Sequence, residues 1–277
     1  MSIFTAPKNL QEKVALVTGA ASGIGRALSL ELARWGAHLI LVDRNEVGLA
    51  EVARLIRPMG REVACIGADL STKEGINLAA RRAIRQMGQV DILVNNAGIM
   101  PLGPVSAMSL PDWEKVLDIN VWAPVRMNNL LLPHMISRGH GHIVNVASIA
   151  GLLPVPGMTA YALSKFAVVG YTEALRAEIS GEGIDVTCIC PGFTRTGLAQ
   201  TKGYGTGGMQ EFGARLMEIV GASPERVALQ MVRAIRYRKG LSTPGTAGTI
   251  LPNLMRLSPA FMTGVMGRVY PRLGMNA

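Results

Sequence analysis

The stretch that decides the fold is "KVALVTGAASGIGRALSLELARWGA", residues 13–37. It begins with a continuous apolar run, which is typical of a strand buried on both faces of a sheet. From Gly23 onward, apolar residues recur at helical spacing until the pattern stops at Gly36. The sequence therefore predicts a strand at 13–19 and a helix at 23–37, joined by a glycine-rich turn.

Apolar strands and helical patterns go on alternating from this unit to about residue 240. We expect further strands at 38–43, 62–69, 91–98, 141–148 and 183–192. The helices between them are expected at 46–60, about 72–87, about 112–137 and about 159–180. Apolar strands separated by helices indicate a parallel sheet covered on both faces. The predicted fold class is therefore α/β: a single-domain, Rossmann-like, doubly wound parallel β-sheet with helices on both faces.

Composition and charge argue against several classes of protein. Of the 277 residues, 49% are apolar and 17% are charged, which is enough material for one large core. No window of 18 or more residues is free of both charges and helix breakers, which argues against a membrane span. The basic residues behind the net charge of +9 are scattered among few aromatic residues. We expect no nucleic-acid partner, because aromatic stacking platforms are scarce.

Cysteine usage bears on the compartment. Cys65, Cys188 and Cys190 cannot all pair, and two of them lie in an expected buried strand. This favours reduced thiols over a disulfide framework. The first residues also lack the long apolar segment of a secretory signal. We therefore expect a cytoplasmic protein.

The glycine-rich turn has the chemistry of a phosphate site. Gly19, Gly23 and Gly25 follow the spacing G-x-x-x-G-x-G between the first strand and the first helix. Glycines allow positive φ and a close backbone approach, and a pyrophosphate fits the positive end of a helix. Asp43 ends the second strand, where a carboxylate can accept hydrogen bonds from a ribose diol and repel a 2′-phosphate. We expect NAD as cofactor, with NADP possible because Arg44 follows.

Plainer alternatives exist for both features. The glycines can simply form a strand-to-helix turn, and Asp43 can simply begin the next turn.

A tyrosine and a lysine stand four residues apart in "YALSKFAVVG", residues 161–170. This spacing places Tyr161 and Lys165 on one face of a helix. Tyrosine has a pKa near 10, and a nearby ammonium group lowers it by favouring the phenolate. Ser148 ends the preceding strand, so its hydroxyl can hold a substrate oxygen while Tyr161 exchanges the proton. The alternative is that both helix residues serve only packing and solvation.

Taken together, these motifs resemble the short-chain dehydrogenase/reductase family. The resemblance rests on "TGAASGIG" (18–25), "NNAG" (95–98), Asn120, Ser148, "YALSK" (161–165) and "PGFTRT" (191–196). They occur in the order and spacing of the family and cover roughly residues 10–240.

The resemblance implies a role for each catalytic position. Tyr161 is the general acid/base, and Lys165 lowers its pKa and bonds the nicotinamide ribose. Ser148 orients the substrate, and Asn120 holds a water molecule that links Lys165 to solvent. The cofactor-binding positions, besides Tyr161 and Lys165, are Gly19, Ser22, Gly23, Ile24, Gly25, Asp43, Arg44, Asp69, Leu70, Asn96, Ala97, Gly98, Pro191, Gly192, Thr194 and Thr196. No metal site is expected.

The resemblance also implies an oligomer and a domain plan. Members of the family are usually tetramers or dimers built on two long helices, here about 112–137 and about 159–180. Residues 1–240 are expected to form the dinucleotide-binding and catalytic domain, with "TKGYGTGGMQ" (201–210) as a loop. Residues 241–277 are expected to form an extension of one short strand and an amphipathic helix. That extension packs on the same domain or on a neighbouring subunit, lies on a membrane surface through 246–277, or covers the pocket.

The segments expected around the substrate are apolar. They are 99–106, 149–158 and the loop from Phe193 to about Val220, and they hold few charges near the active-site end. Such walls favour a hydrophobic secondary alcohol or ketone, since a sugar or an acid needs convergent polar groups. Two alternatives stay open: a 3-oxoacyl reductase of fatty-acid-type metabolism, and a non-catalytic NAD-binding protein.

Overall fold

The computed structural model describes residues 6–197, 204 and 218–245, and also residues 258, 260, 263, 264, 267 and 268. Its strands are β1 (Val14–Thr18), β2 (His38–Asp43), β3 (Val63–Gly67), β4 (Ile92–Asn95), β5 (Gly141–Val146), β6 (Ile184–Ile189) and β7 (Leu241–Ser242). They form one sheet in the order β3-β2-β1-β4-β5-β6-β7, in which every neighbouring pair is parallel. The predicted parallel sheet is confirmed, and β1 to β6 lie within their predicted ranges.

Seven α-helices have both of their ends among the described residues. They are α1 (Gly23–Arg34), α2 (Glu46–Ile56), α3 (Lys73–Met87), α4 (Leu110–Leu117), α5 (Ala123–Ser137), α6 (Thr159–Glu178) and α7 (Pro224–Arg236).

Both faces of the sheet are buried under these helices. Ala15 and Val17 of β1 belong to the apolar core that α1, α2 and α7 complete. Val14 and Leu16, which point to the other face, belong to the core completed by α3, α5 and α6. A strand buried on both sides needs apolar residues at every position rather than at alternate ones. This explains the continuous apolar runs and confirms the doubly wound arrangement.

The strand order reverses between β1 and β4. β1 pairs with β2 on one side and with β4 on the other. The chain builds outward from β1 to β3, crosses back to β4 and then builds outward in the other direction. In open parallel sheets, ligands bind beyond the carboxyl ends of the strands at such a reversal. The residues that follow β1 and β4 therefore lie at the centre of the expected site.

The predicted long helix at 112–137 is wrong in one respect, because it is interrupted. α4 begins at Leu110, a π-helical turn covers Asp118–Trp122, and α5 continues from Ala123. Pro124 lacks an N–H and its ring clashes with the carbonyl four residues back, which disfavours an unbroken α-helix through this point. The turn widens instead, and Asn120 lies inside it.

Helix α7 was missed by the sequence interpretation, although its start carries clear signals. The Ser223 side chain caps the helix by accepting a hydrogen bond from the Arg226 amide. Pro224 follows at the first helical position and Glu225 lies in the first turn. Serine, proline and an acidic residue in this order are typical of a helix N-terminus.

The C-terminal extension is described only in part. The predicted short strand is β7, which pairs with β6. The predicted amphipathic helix at 246–277 lies mostly outside the described residues, and the division into 1–240 and 241–277 stays a prediction. In the part of the chain that the structure describes, no helix is both long and apolar enough to cross a bilayer.

One buried histidine lies at the amino end of the sheet. The His142 side chain on β5 is fully buried, and its Nε2 bonds Thr187 Oγ1 at 2.8 Å. Its Nδ1 has no hydrogen-bond partner among the described residues. Burial lowers the pKa of His142 well below its ordinary 6.5, and the nearby Lys8 and Arg238 charges lower it further. The folded protein therefore holds this imidazole neutral.

We expect His142 to make the protein acid-sensitive. The unfolded chain takes up a proton near pH 6.5 and the folded chain does not, so stability is full above pH 6.5 and is lost as the pH falls below it. The loss should reach up to about 1.4 kcal/mol per pH unit. Denaturant unfolding of His142→Gln at pH 7.5 and 5.5 should show a smaller difference than the unsubstituted protein. Equal differences would contradict this account.

Candidate active site

The carboxyl ends of β1 to β6 open into one cleft with a volume of about 350 Å³. Most of the predicted site residues lie on its wall. They are Gly19, Ser22, Gly23, Ile24, Asp43, Arg44, Asp69, Leu70, Asn96, Ala97, Gly98, Ser148, Tyr161, Lys165, Pro191, Gly192, Thr194 and Thr196. The other two, Gly25 and Asn120, lie behind the wall, where they support it.

The glycine-rich turn fits a pyrophosphate. Gly19 and Gly23 have φ values of +66° and +52°, which favour glycine. The side chain of Ser22, the N-cap residue of α1, forms no hydrogen bond with the amides of the first turn. That turn also contains no acidic residue. The positive end of α1 is thus left open toward the cleft, as an anion site requires.

Gly25 has a different role from the other two glycines. A Cβ built on Gly25 would overlap the carbonyl oxygen of Gly19 and crowd the Asn96 amide. This glycine therefore lets α1 pack closely on the turn that follows β1, and it shapes the cleft without facing it.

Two acidic residues line the adenosine end of the cleft. Asp43 ends β2, and its carboxylate accepts hydrogen bonds from the backbone amides of Ala21 (3.1 Å) and Asn45 (3.0 Å). These bonds fix a partly exposed carboxylate where a ribose diol can donate to it. Asp69 accepts a bond from the Ser71 amide at 2.9 Å, and bonds from Ser71 lower its pKa. Both carboxylates line the cleft, and their contacts with the adenosine of the cofactor stay predictions.

The two asparagines of "NNAG", Asn95 and Asn96, have different structural roles. Asn95 is buried, and its amide donates to Asn128 Oδ1 (2.8 Å) and Asn145 Oδ1 (2.9 Å), which joins β4 to α5 and β5. Asn96 lines the cleft, and its amide donates to the Thr18 carbonyl at 2.9 Å. The first asparagine therefore holds the sheet together, whereas the second holds the phosphate turn against β4.

Ser148 and Tyr161 meet at the far end of the cleft. The Ser148 hydroxyl accepts a hydrogen bond from the Ala150 amide at 3.2 Å and is hydrogen-bonded to Tyr161. Burial raises the pKa of Tyr161 to about 12, and the bond with Ser148 opposes this rise. Tyr161 is therefore a neutral phenol at neutral pH.

Lys165 is tied to the sheet. Its Nζ donates to the Val146 carbonyl at 2.9 Å and lies 5.5 Å from the centroid of the Tyr161 ring. Burial lowers the pKa of Lys165 to about 8. The sequence predicts that this ammonium lowers the pKa of Tyr161. In the chain alone the pKa of Tyr161 is nevertheless raised above its ordinary value, because desolvation of the phenolate dominates.

The side chain of Asn120 faces away from the cleft. Its Oδ1 accepts from the Ile99 amide, and its Nδ2 donates to the Ile99 carbonyl, each at 2.9 Å. Nδ2 also donates to Ser164 Oγ at 2.9 Å, and Ser164 in turn donates to the Tyr161 carbonyl at 2.7 Å. Ser164 therefore links the π-turn to the catalytic helix. Sequence reasoning missed this role, although Ser164 stands inside "YALSK".

An apolar wall lies beside Tyr161, as the sequence predicts. Met100, Leu102, Ala150 and Tyr161 form a buried cluster. The partly buried residues packed on this cluster are Val155, Met158 and Phe193.

The loop of this wall is held on both sides. The Gly103 amide donates to the Gly157 carbonyl at 2.9 Å, and the Tyr204 amide donates to the Leu102 carbonyl at 2.7 Å. The Tyr204 hydroxyl is hydrogen-bonded to Asp112 of α4. Apart from Tyr204, the predicted loop at 201–210 lies outside the described residues.

Some cleft residues carry no motif and were missed. They are Ala68, Ser71, Ile119, Val146 and Ala147. Small and apolar residues give no signal of their own in a single sequence. Four of these residues follow or end strands and reach the cleft through strand pairing, whereas Ile119 reaches it from the π-helical turn.

A doubly wound sheet with a phosphate turn and a Ser–Tyr–Lys group at one cleft defines the class of dinucleotide-dependent oxidoreductases. The family model of the short chain dehydrogenases matches residues 13–205. The chain belongs to the short-chain dehydrogenase/reductase family, as the sequence motifs predict.

Known relatives share nearly the whole chain. Estradiol 17-beta-dehydrogenase 11 of Homo sapiens is 33% identical over 264 residues, which are 94% of this chain and 84% of that protein. A short chain dehydrogenase/reductase from Burkholderia phymatum in complex with NAD has 30% identity and a TM-score of 0.84, covering 92% of this chain and 96% of that one. A short-chain dehydrogenase from Sphingobium yanoikuyae in complex with NADPH has 26% identity and a TM-score of 0.77, covering 92% and 95%. The cofactor class is therefore NAD(P).

Gly25→Ala tests the packing of the phosphate turn. The added methyl group must displace the Gly19 carbonyl, so we expect affinity for NADH to fall at least tenfold, or about 1.4 kcal/mol. Gly170→Ala is the matched control, because Gly170 also lies in a helix but has nothing within 4 Å of an added Cβ. Fluorescence titration with NADH compares the two. Unchanged affinity for NADH in Gly25→Ala would contradict this account, because it would show that the Gly19 carbonyl can move aside without weakening cofactor binding.

Proposed function

We propose that this oxidoreductase interconverts a hydrophobic secondary alcohol and its ketone, with NAD as the preferred cofactor. The observation that carries the proposal is the meeting of Ser148 and Tyr161 beside an apolar wall at the end of the cofactor cleft. The bound cofactor accepts or supplies the hydride. The residues of the chain bind and orient the substrate and move the proton.

Tyr161 is the proton donor in ketone reduction. Burial keeps its phenol protonated at neutral pH, and the hydrogen bond with Ser148 holds the phenol oxygen beside the serine hydroxyl. Ser148 holds the carbonyl oxygen of the substrate next to that proton. The hydroxyl groups of Ser148 and Tyr161 are in place before the reaction starts. They therefore stabilise the negative charge on the substrate oxygen as it develops, without rearrangement of the site.

Lys165 supplies a fixed positive charge behind Tyr161. With a pKa of about 8, the Lys165 amine is mostly protonated at neutral pH. The ammonium stabilises the phenolate that remains after Tyr161 has given up its proton. Its bond to Val146 holds it in place, so the charge is positioned before the reaction starts. The family resemblance also gives Lys165 the nicotinamide ribose as a partner.

The wall of the site supports a hydrophobic substrate. Met100, Val155, Met158 and Phe193 line the cleft beside Tyr161. None of these side chains offers a charge to a sugar or an acid, whereas all of them can cover apolar rings or chains. The relative in Homo sapiens is named for estradiol, an apolar secondary alcohol, which supports the same class of substrate.

We further propose a homo-oligomer built on the two long helices, in the cytoplasm. Trp122, Leu130, Leu163 and Phe166 are exposed on the π-turn, α5 and α6, although all four are large and apolar. Exposed apolar side chains on neighbouring helices are typical of an interface between subunits. Free cysteines support the reducing compartment.

Asp43 should decide the choice between NAD and NADP. Its carboxylate repels a 2′-phosphate, so Asp43→Ala should lower the ratio of kcat/KM for NAD to that for NADP by about tenfold or more, equivalent to about 1.4 kcal/mol. Arg44→Ala is the opposing control and should raise the ratio, because it removes a neighbouring positive charge that attracts the phosphate. Steady-state kinetics with both cofactors provide the ratios. A preference for NADP in the unsubstituted protein would contradict the assignment.

The proposed function is tested by a screen of hydrophobic secondary alcohols, with NADH formation as the signal and a 3-oxoacyl thioester included. Tyr161→Phe should bind NADH normally but lose about 10²- to 10⁴-fold in kcat on any active substrate, the usual contribution of a positioned acid/base. Tyr171→Phe is the control on the same helix, because its hydroxyl bonds Asn128 rather than the cleft. Normal turnover by Tyr161→Phe would refute the mechanism, and activity on the thioester alone would favour the acyl reductase.

A further inference from the structure

The segment 99–103 carries part of the apolar wall, and its first residue is fixed from the core. Both backbone groups of Ile99 bond the buried side chain of Asn120, each at 2.9 Å. The next residue, Met100, lines the cleft and packs with Tyr161 in one buried cluster. The distance between Met100 and Tyr161 therefore depends on what holds the other end of the segment.

Tyr204 holds that other end through its main chain. Its amide donates to the Leu102 carbonyl at 2.7 Å. Gly103 has a φ of +155°, and a Cβ built on it would be 2.5 Å from the Tyr204 carbonyl oxygen and 2.6 Å from the Tyr204 Cβ. The absence of a side chain at Gly103 therefore lets Tyr204 lie directly against the wall segment.

The side chain of Tyr204 adds a second attachment. Its hydroxyl donates a hydrogen bond to the Asp112 carboxylate on α4. That carboxylate is itself oriented, because its Oδ2 accepts from the hydroxyl of Ser109, the N-cap residue of α4, at 2.6 Å. A hydroxyl that donates to a charged acceptor forms one of the stronger hydrogen bonds in proteins. Tyr204 therefore joins the wall segment to α4.

We infer that Tyr204 is a specificity-determining residue: its bonds to Leu102 and Asp112 hold the wall segment against Tyr161 and so limit the width of the apolar substrate. The inference rests on the proposed function, because it concerns the substrate side of the same cleft. Tyr204 acts through the wall as a positioning residue and leaves the proton transfer to Tyr161. Without its hydroxyl, the wall should lose contact with a compact substrate and make room for a wide one.

The kinetic test compares Tyr204→Phe with the unsubstituted protein on secondary alcohols of increasing width: cyclohexanol, 1-tetralol and estradiol. We expect the ratio of kcat/KM for the narrowest active alcohol to that for the widest to fall about tenfold, the effect of one hydrogen bond to a charged acceptor. The change should lie in KM, with kcat on the narrow alcohol and affinity for NADH within about twofold. Tyr237→Phe, which removes an exposed hydroxyl at the end of α7, is the matched control and should leave the ratio unchanged.

Hydrogen exchange tests the same attachment without any substrate. The Gly103 amide donates to the Gly157 carbonyl at 2.9 Å, so its exchange rate reports how firmly the end of the wall segment is held. In Tyr204→Phe this amide should exchange about tenfold faster, again the effect of one such bond. The Ile99 amide, which bonds Asn120, should keep its rate and serves as the internal reference.

A double-mutant cycle identifies Asp112 as the partner. Asp112→Ala should shift the width ratio in the same direction as Tyr204→Phe, and the double variant should be no worse than Asp112→Ala alone, because both changes remove the same bond. Asp112→Asn keeps an acceptor oxygen and should recover part of the effect.

Four results would overturn the inference. They are an unchanged width ratio in Tyr204→Phe, an equal shift in Tyr237→Phe, fully additive losses in the double variant, or unchanged exchange of the Gly103 amide. An equal loss of kcat on every alcohol would also overturn it, since that pattern indicates general damage to the site. The proposed function fails by a different result, namely that the unsubstituted protein turns over no hydrophobic secondary alcohol or ketone.

Discussion

The parallel pairing of β1 with β4 is the constraint on which the rest of the site depends. The register places Ala15, Leu16 and Val17 opposite Ile92, Leu93 and Val94. Both strands therefore end at the same level, and the residues after them are brought together. Thr18 shows the result, since its hydroxyl accepts from the amide groups of Asn96 and Ala97. The glycine-rich turn after β1 and the residues after β4, about 75 residues apart in the chain, become one surface through this single contact.

The exclusion of water from the side chains of Tyr161 and Lys165 sets their pKa values. Burial raises the pKa of Tyr161 and lowers that of Lys165, because it penalises whichever form is charged. The two pKa values, about 12 for Tyr161 and about 8 for Lys165, therefore move apart. In the chain alone the proton stays on the phenol, and the Lys165 ammonium stabilises the phenolate once Tyr161 has released that proton.

Much of the fold and most of the site could be predicted because they rest on local patterns. Strands buried on both faces show as apolar runs, and "TGAASGIG" and "YALSK" carry their chemistry in their spacing. Three-dimensional effects could not be predicted in the same way. The side chain of Asn120 turns toward Ile99, and the pKa of Tyr161 follows its burial, which no spacing records. The break at 118–122 is an intermediate case, because the sequence shows that Pro124 has no N–H to donate to the carbonyl of residue 120.

The bond between Lys165 and the Val146 carbonyl changes what mutagenesis of this lysine can reveal. The ammonium group is at once a charge and the partner of a buried backbone acceptor at the end of β5. Substitution by methionine removes both, and an orphaned acceptor costs about 1–3 kcal/mol. A loss of kcat in such a variant therefore combines two effects. One is the loss of the positive charge beside Tyr161, and the other is the loss of the hydrogen bond that holds the end of β5. An arginine substitution keeps the charge and a donor but not the shape, so comparing the two variants apportions the loss.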